Sequence, residues 1–370
     1  MDCEATATKL IKLYPTAQQK KILKHWTDNS RYIFNQTIDY LRSCINFEPS
    51  WMERKDLLHN CLPKWCDDVP FQIKAIAVKL GHQSFWETLK AHKGGRIYFN
   101  FKSRKEPEQS CYIPKSAIKA TGISPRISGK GLRYGESLPE VIKDSRLLWR
   151  YGSWWLAIPT AKQLTSSENQ ANSIVALDPG IRTFISFYSP HYSGKIGEDA
   201  QSYLFKYYIA LDKLISKRDQ CKNQRKKRSF NKAIKRLRQR INNLVAEMHW
   251  KTANFLCKTF DVILMPKFET SQMVIKSRRK IGSKTVRSMM GFQFYQFTQR
   301  LKWIGLKLRK NIVSVTEEYT SKTHPQTGVV NSKLGGAKTV KLVDGSSADR
   351  DIVGAFNILL KSLVGDVRLV

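Results

Sequence analysis

Residues 174–187, "IVALDPGIRTFISF", limit the possible folds more than any other stretch of the chain. An apolar run of strand length ends in Asp178, turns at Pro179 and Gly180, and resumes as a second apolar run. A strand apolar along its whole length belongs inside a sheet covered on both faces. A lone carboxylate at the end of such a strand costs free energy unless something positive faces it. The rest of the chain must therefore supply a core that buries the strand and a cation that answers Asp178.

The sequence downstream supplies the core. "DVILMPKF" (261–268) reads as a second apolar strand and "NIVSVTEEY" (311–319) as a third, with the basic helix "QFTQRLKWIGLKLRKN" between them. Residues 202–258 read as mostly helical, with Ile234, Leu237, Ile241, Leu244, Val245 and Met248 on one stripe. "DRDIVGAFNILLKSLV" closes the region as a helix with Ile352, Ala355, Phe356, Leu359, Leu360 and Leu363 in register. The order strand, strand, helices, strand, helix, strand, helix predicts a mixed α/β sheet.

Upstream, "TATKLIKLY" alternates like a strand. Ile22, Leu23, Trp26, Tyr32, Ile33, Ile38 and Leu41 recur at helical spacing, and "FQIKAIAVKLGHQSFWETLKA" (71–91) reads as another helix. "HKGGRIYFNFKSRKEPEQS" then returns to an extended basic segment, and strands and turns continue to about residue 162. A β unit thus surrounds a helical insert, and the polar linker "AKQLTSSENQANS" separates it from the α/β region. At 370 residues the chain has room for two or three domains.

Charge narrows the partners. Lys plus Arg number 64 against 30 Asp plus Glu, a formal charge of +34. Such a surface seeks polyanions, and nucleic acid is the expected one. An anionic membrane is the weaker alternative: no apolar stretch approaches the ~18 residues a spanning helix needs, no lone amphipathic anchor stands out, and the acidic start "MDCEATATKL" does not read as a secretory signal. Seven scattered cysteines without a C-x-x-C pair point to reduced thiols in an intracellular protein. The run "KNQRKKRSFNKAIKRLRQR" lies in a stretch, 220–246, without Asp or Glu. It makes Lys226, Lys227, Arg228, Lys235 and Arg236 candidates for phosphate contact, a solvated helix face being the alternative. Lys102, Arg104 and Lys105 form a second basic group.

Acidic residues fall at three element ends: Asp178, Glu317 with Glu318, and Asp349 with Asp351. Hydrolysis of a phosphodiester by two metals needs such a set, because carboxylates hold two Mg²⁺ ions ~3.5–4 Å apart. Mg²⁺ keeps several waters, so few protein ligands suffice. The competing readings are an N-cap at Asp349 for the final helix and a turn-orienting role for Asp178.

"ALDPGIRTF" resembles the first RuvC motif of the TnpB transposon-encoded nucleases and of their eukaryotic and viral relatives, the Fanzor proteins, the Fanzor form most closely. "EEYTSKTHPQTG" resembles the Tyr-Thr-Ser-Lys-Thr segment of TnpB, and "DRDIVGAFNIL" resembles the third RuvC motif. "KLYPTAQQKKIL", "SRYIFNQTIDYL", "FNFKSRK" and "KDSRLLWRYGSWWLAIP" match family positions in the same order, so the resemblance spans nearly the whole chain. It implies an α+β multidomain protein: a wedge β-barrel (1–15 and 95–165), an inserted helical recognition domain (16–94), an RNase H-like RuvC domain (171–318 and 349–370) and a small target-nucleic-acid-binding insert (319–348). It implies an RNA-guided DNA endonuclease whose partners are an omega-type guide RNA from a transposon end and double-stranded target DNA. A monomeric ribonucleoprotein is expected, nuclear in a eukaryotic host and cytoplasmic otherwise.

Two departures from the family pattern set further expectations. Where TnpB carries its second-motif Glu, this chain has Pro266. The Fanzor pattern displaces that Glu to a later strand, which implies Asp178, Glu317 and Asp351 as the catalytic ligands of two Mg²⁺ ions. Glu317 shares a strand face with Val313 and Val315; Glu318 is the second choice and Glu269 the third. The four cysteines of the family's zinc site map to His324, Thr327, Lys341 and Asp344, so no structural zinc is expected. Loss of the usual Glu leaves an RNA-guided DNA-binding regulator without cleavage as the alternative, and a transposase with a RuvC-like core as a further one.

Overall fold

The computed structural model describes residues 5–43, 50–92, 94, 97–127, 131–141, 143–162, 173–268, 270–277, 279, 281–316, 320, 322–330 and 337–364. The chain divides into two units, residues 4–162 and residues 163–370 together with 1–3.

In the first unit, β1 (Ala5–Tyr14) buries Ile11 and Leu13 and exposes Leu10 and Tyr14, as the alternation in its sequence requires. Thr16 then starts α1 (Ala17–Ser43) with a reciprocal cap. The Gln19 amide donates to Thr16 Oγ1 at 3.3 Å and the Thr16 amide donates to Gln19 Oε1 at 2.8 Å. The helices α2 (Trp51–Asn60) and α3 (Phe71–Lys90) follow. Phe34, Ile38 and Leu41 of α1 pack with Phe85 of α3. The strands β2 (Glu108–Ile113), β3 (Ile118–Lys119), β4 (Gly122–Ile123), β5 (Arg133–Tyr134), β6 (Ser145–Arg150) and β7 (Ser153–Lys162) complete the unit. An antiparallel sheet runs β2-β6-β7-β1-β5. Trp26 of α1 joins Ile11, Leu13, Leu147, Leu156 and Ile158 in its core. In chain order α1, α2 and α3 lie between β1 and β2 of this sheet; α2 carried no signal in the sequence.

The second unit opens with β8 (Ile174–Pro179), β9 (Ile185–Tyr188) and β10 (Ser193–Ile196). The long hairpin α4 (Ala200–Gln220) and α5 (Gln224–Thr259) follows. Residues 202–258, read as mostly helical, divide there into two helices, and the Asn223 side chain caps the second by accepting from the amides of Arg225 and Lys226. Then come β11 (Val262–Pro266), α6 (Thr270–Met273), α7 (Ser283–Phe292), α8 (Phe294–Lys307), β12 (Asn311–Val315), the hairpin β13 (Thr339–Lys341) with β14 (Ser347–Asp349), and α9 (Arg350–Val364). The sheet order is β10-β9-β8-β11-β12, with β8, β11 and β12 parallel and β9 antiparallel to both neighbours.

Both faces of this sheet are covered. Val175, Leu177, Ile263 and Met265 pack with Ile234, Ile241 and Val245 of α5 and with Phe297 and Leu301 of α8. Ala176, Leu264, Val313 and Val315 pack with Ile358 and Leu359 of α9. Two-sided burial is why these strands read as continuous apolar runs.

Candidate active site

The site is laid out by strand register. Asp178 pairs with Ser186, and Ser186 with Lys195. Ala176 pairs with Leu264, so Asp178 stands level with Pro266, which pairs with Val315. Side chains directly opposite one another share a sheet face. One row, Lys195, Ser186, Asp178, Pro266 and Val315, therefore crosses all five strands on the face covered by α9. Its only acid is Asp178 and its only cation is Lys195.

Helix α9 closes over this row. Asp349 Oδ1 accepts from the amides of Asp351 at 2.9 Å and Ile352 at 3.4 Å, so Asp349 is the helix cap. Its Oδ2 accepts a short, charge-assisted bond from Lys195 Nζ, which also meets Glu198 at 3.4 Å. Burial pushes the Asp349 carboxyl up, but the Lys195 ammonium and the two amides outweigh it and hold the group below the usual carboxylate range. Lys195 is raised in turn, first by its bond to Asp349.

Asp351, half-buried, sits in the first turn of α9. Gly354 lies three residues on, on the same helix face. A Cβ at Gly354 would collide with Asp178 Oδ2, so α9 crosses β8 with bare backbone against the carboxylate. The residue of α9 that meets Asp178 is thus Gly354, three positions on from Asp351. Gly354 was not singled out in the sequence: its only signal was a glycine inside an apolar helix, which costs ~1 kcal/mol relative to alanine and needs a packing reason.

The turn after Asp178 is equally tight. The Gly180 amide donates to Phe184 O at 3.2 Å, and a Cβ at Gly180 would lie 2.8 Å from Thr183 O. Phe184 anchors the turn by stacking on His249, with centroids 5.3 Å apart. His249 is buried; it donates from Nε2 to Phe292 O at 2.8 Å and accepts at Nδ1 from Arg300 at 2.6 Å. Burial, with Arg300 adding to it, pushes this imidazole down to about 4.

Glu317, Glu318 and Glu269 lie outside the described residues. On the near side of Glu317, Val313 and Val315 are buried on the face that carries Asp178. Beyond it, Thr320 is buried, and Asn357 Nδ2 of α9 donates to Thr320 O at 2.8 Å and Thr323 O at 2.7 Å. Among the described residues no group of three or more His, Cys, Asp or Glu side chains could hold a metal ion. Asp178 and Asp351 supply two hard oxygen donors, the type Mg²⁺ takes, and the set needs the third carboxylate.

The residues of the degenerate zinc site do not fit zinc. His324 Nδ1 accepts from the amides of Gln326 and Thr327, both at 3.3 Å, which leaves Nε2 to donate to Lys341 O at 2.9 Å. Gln326 Oε1 accepts from the Val343 amide at 2.8 Å, and Asp344 Oδ1 accepts from Ser346. Side-chain hydrogen bonds join the two turns, and Thr327 and Lys341 are not structural zinc ligands.

Of the basic candidates, Lys226, Arg228 and Arg236 are exposed along α5, and Lys227 and Lys235 are half-buried. Arg104 and Lys105 are exposed. Lys102 differs: its ammonium lies 3.6 Å from the Phe34 ring centroid, and its backbone is held by Asn35 through bonds of 2.8 and 2.9 Å. Burial, then Arg146, lowers its pKa. That lysine packs against α1, and the free charge of this segment is on its neighbours.

A family model described as "Cas12f1-like, TNB domain" matches residues 294–358, from α8 into α9. The chain is 30 % identical over 386 residues to a protein of Paramecium bursaria Chlorella virus 1 named as a candidate transposase; the alignment covers 96 % of this chain and 87 % of the relative. It is 27 % identical over 383 residues to a TnpB-like protein of Acanthamoeba polyphaga mimivirus, covering 95 % and 72 %. It is 22 % identical over 379 residues to an Escherichia coli protein named as a candidate RNA-guided DNA endonuclease, covering 94 % and 90 %. The fold resembles that of Cas12f1 in a cryo-EM structure of the Cas12f1-sgRNA-target DNA complex, at TM-score 0.55 and 11 % identity, over 96 % of this chain and 98 % of that one.

Proposed function

The chain belongs to the TnpB/Cas12f-type family of RNA-guided nucleases, and from that premise we propose that it is an RNA-guided DNA endonuclease. Its guide RNA pairs with target DNA beside a short adjacent motif, the protein reading backbone shape and that motif rather than the paired sequence. The observation that supports the reading is the seating of Gly354 on Asp178, since Asp351 lies three residues before Gly354 on the same helix face. The second unit is read as the RuvC domain, its β10-β9-β8-β11-β12 sheet having the order of an RNase H-like core. The first unit is read as the wedge with its inserted recognition helices.

Asp178, Asp351 and Glu317 are the residues that would hold two Mg²⁺ ions. When bound, such a pair supplies an activated water and stabilises the leaving oxygen. The protein's own part is to orient these oxygens: Asp178 through its strand row and Gly354, Asp351 through the capped start of α9. The exposed cations of α5 hold phosphate backbone. Pro266 in the same row favours a second reading, a guided DNA-binding regulator without cleavage, because proline offers no ligand where the family carries Glu.

The test is to purify the full chain with whatever RNA it carries and offer it a plasmid library. The endonuclease reading expects a discrete bound RNA and cutting with Mg²⁺ that stops with EDTA. Glu317→Gln should reduce cutting by orders of magnitude, with Glu318→Gln mild. Guided binding without cutting in Mg²⁺ or Mn²⁺ would favour the regulator.

A further inference from the structure

Lys195 occupies a place that the two-aspartate site does not account for. It stands in the same cross-strand row as Asp178, two strands away, with buried Ser186 between them. Its side chain is 21 % exposed and reaches Asp349, which is 32 % exposed. Asp349 spends one oxygen on the amides of Asp351 and Ile352 and the other on Lys195. Lys195 is thus joined through a single side chain to the first turn of α9, the turn that carries Asp351. Glu198 meets the same ammonium at 3.4 Å and keeps it over the edge of the sheet. The strand β10 and the start of α9 are far apart in sequence, and this charged pair is a tie between them.

We propose that Lys195 is a positioning residue of the metal site: by holding Asp349 it fixes the capped start of α9, and so the placement of Asp351 against Asp178. This rests on the metal-dependent nuclease reading. Two opposed consequences of removing Lys195 make the role testable. As a charge alone, Lys195 repels a nearby divalent cation, so its loss would tighten metal binding. As a positioning group it pre-orders the ligands, and loss of such an outer partner weakens metal affinity by about 10–100-fold.

The experiment uses Fe²⁺ with ascorbate, which cuts a polypeptide beside a bound metal, on the full chain as purified. The Fe²⁺ concentration that gives half-maximal cutting near β8 and α9 reports affinity without any DNA turnover. Lys195→Met should raise that concentration at least about tenfold. Lys195→Arg, which keeps the charge and its donors, should restore it. Asp349→Asn should resemble Lys195→Met, and the double variant should be no worse than either single, since both remove one interaction. DNA cleavage should fall in parallel while guided target binding holds. An Fe²⁺ midpoint in Lys195→Met that is unchanged or lower than wild type overturns the positioning role. So does full additivity with Asp349→Asn. A wild type that shows no such Fe²⁺ cutting overturns the metal-site reading itself, and this proposal with it.

Discussion

At the scale of single residues, the site depends on what Gly354 lacks. Gly354→Ala places a methyl where Asp178 Oδ2 lies, so either α9 moves off β8 or the carboxylate turns away. Overpacking of this kind costs about 1–3 kcal/mol, visible as a lower melting temperature. The larger effect belongs to activity: a misplacement of ~1 Å can cost about 10²-fold, so cleavage should drop by about that factor with guided DNA binding retained. A variant that cleaves at the wild-type rate would show that α9 is not held against Asp178. His249 makes a separate prediction. Its folded pKa is about 4 against an ordinary 6.5, so the fold favours the neutral ring. Its contribution is therefore complete above pH 6.5 and is lost as the pH falls towards 4, a change of about 3 kcal/mol. In thermal melts across that range, wild type should exceed His249→Gln most at neutral pH, and the gap should close on acidification. A constant gap would mean that the ring is not held neutral.

At the scale of elements, the sequence was most legible where one strand or helix decides its own fate. The runs 174–179, 262–266 and 311–315 were readable as strands because both faces are buried, and α9 because its apolar stripe is continuous. Asp349 was readable as a cap from its place before that helix, and its amide bonds agree. What could not be read depends on pairing between distant segments. The strand β10, "SGKI", has little apolar content and is placed by pairing with β9, so Lys195 carried no signal. The break between α4 and α5 is marked by one capping side chain, Asn223. The basic helix α5 is the element whose role is tested most simply. Replacing Lys226, Lys227 and Arg228 together by Gln should weaken nucleic-acid binding and flatten its salt dependence by up to ~0.9 log–log slope units per lost duplex-phosphate contact. An unchanged slope would return the run to a solvated helix face.

At the scale of the whole molecule, the proposed function gives the charge of +34 and the half-buried acid of β8 two separate tasks. Binding free energy comes from many phosphate contacts spread over the surface. On the proposed function, chemistry comes from a few oxygens at one end of one sheet. The two are separable, and the central claim is that Asp178 and Asp351 belong only to the second. The direct measurement is single-turnover cleavage of a guided target at saturating Mg²⁺, run beside target binding, for wild type, Asp178→Asn and Asp351→Asn. Asn keeps the shape and removes the charge. Each variant should lose several kcal/mol of transition-state stabilisation, about 10³-fold or more in rate, and bind its target as wild type does. Wild-type cleavage in either variant, or loss of binding and cleavage together, would contradict the assignment.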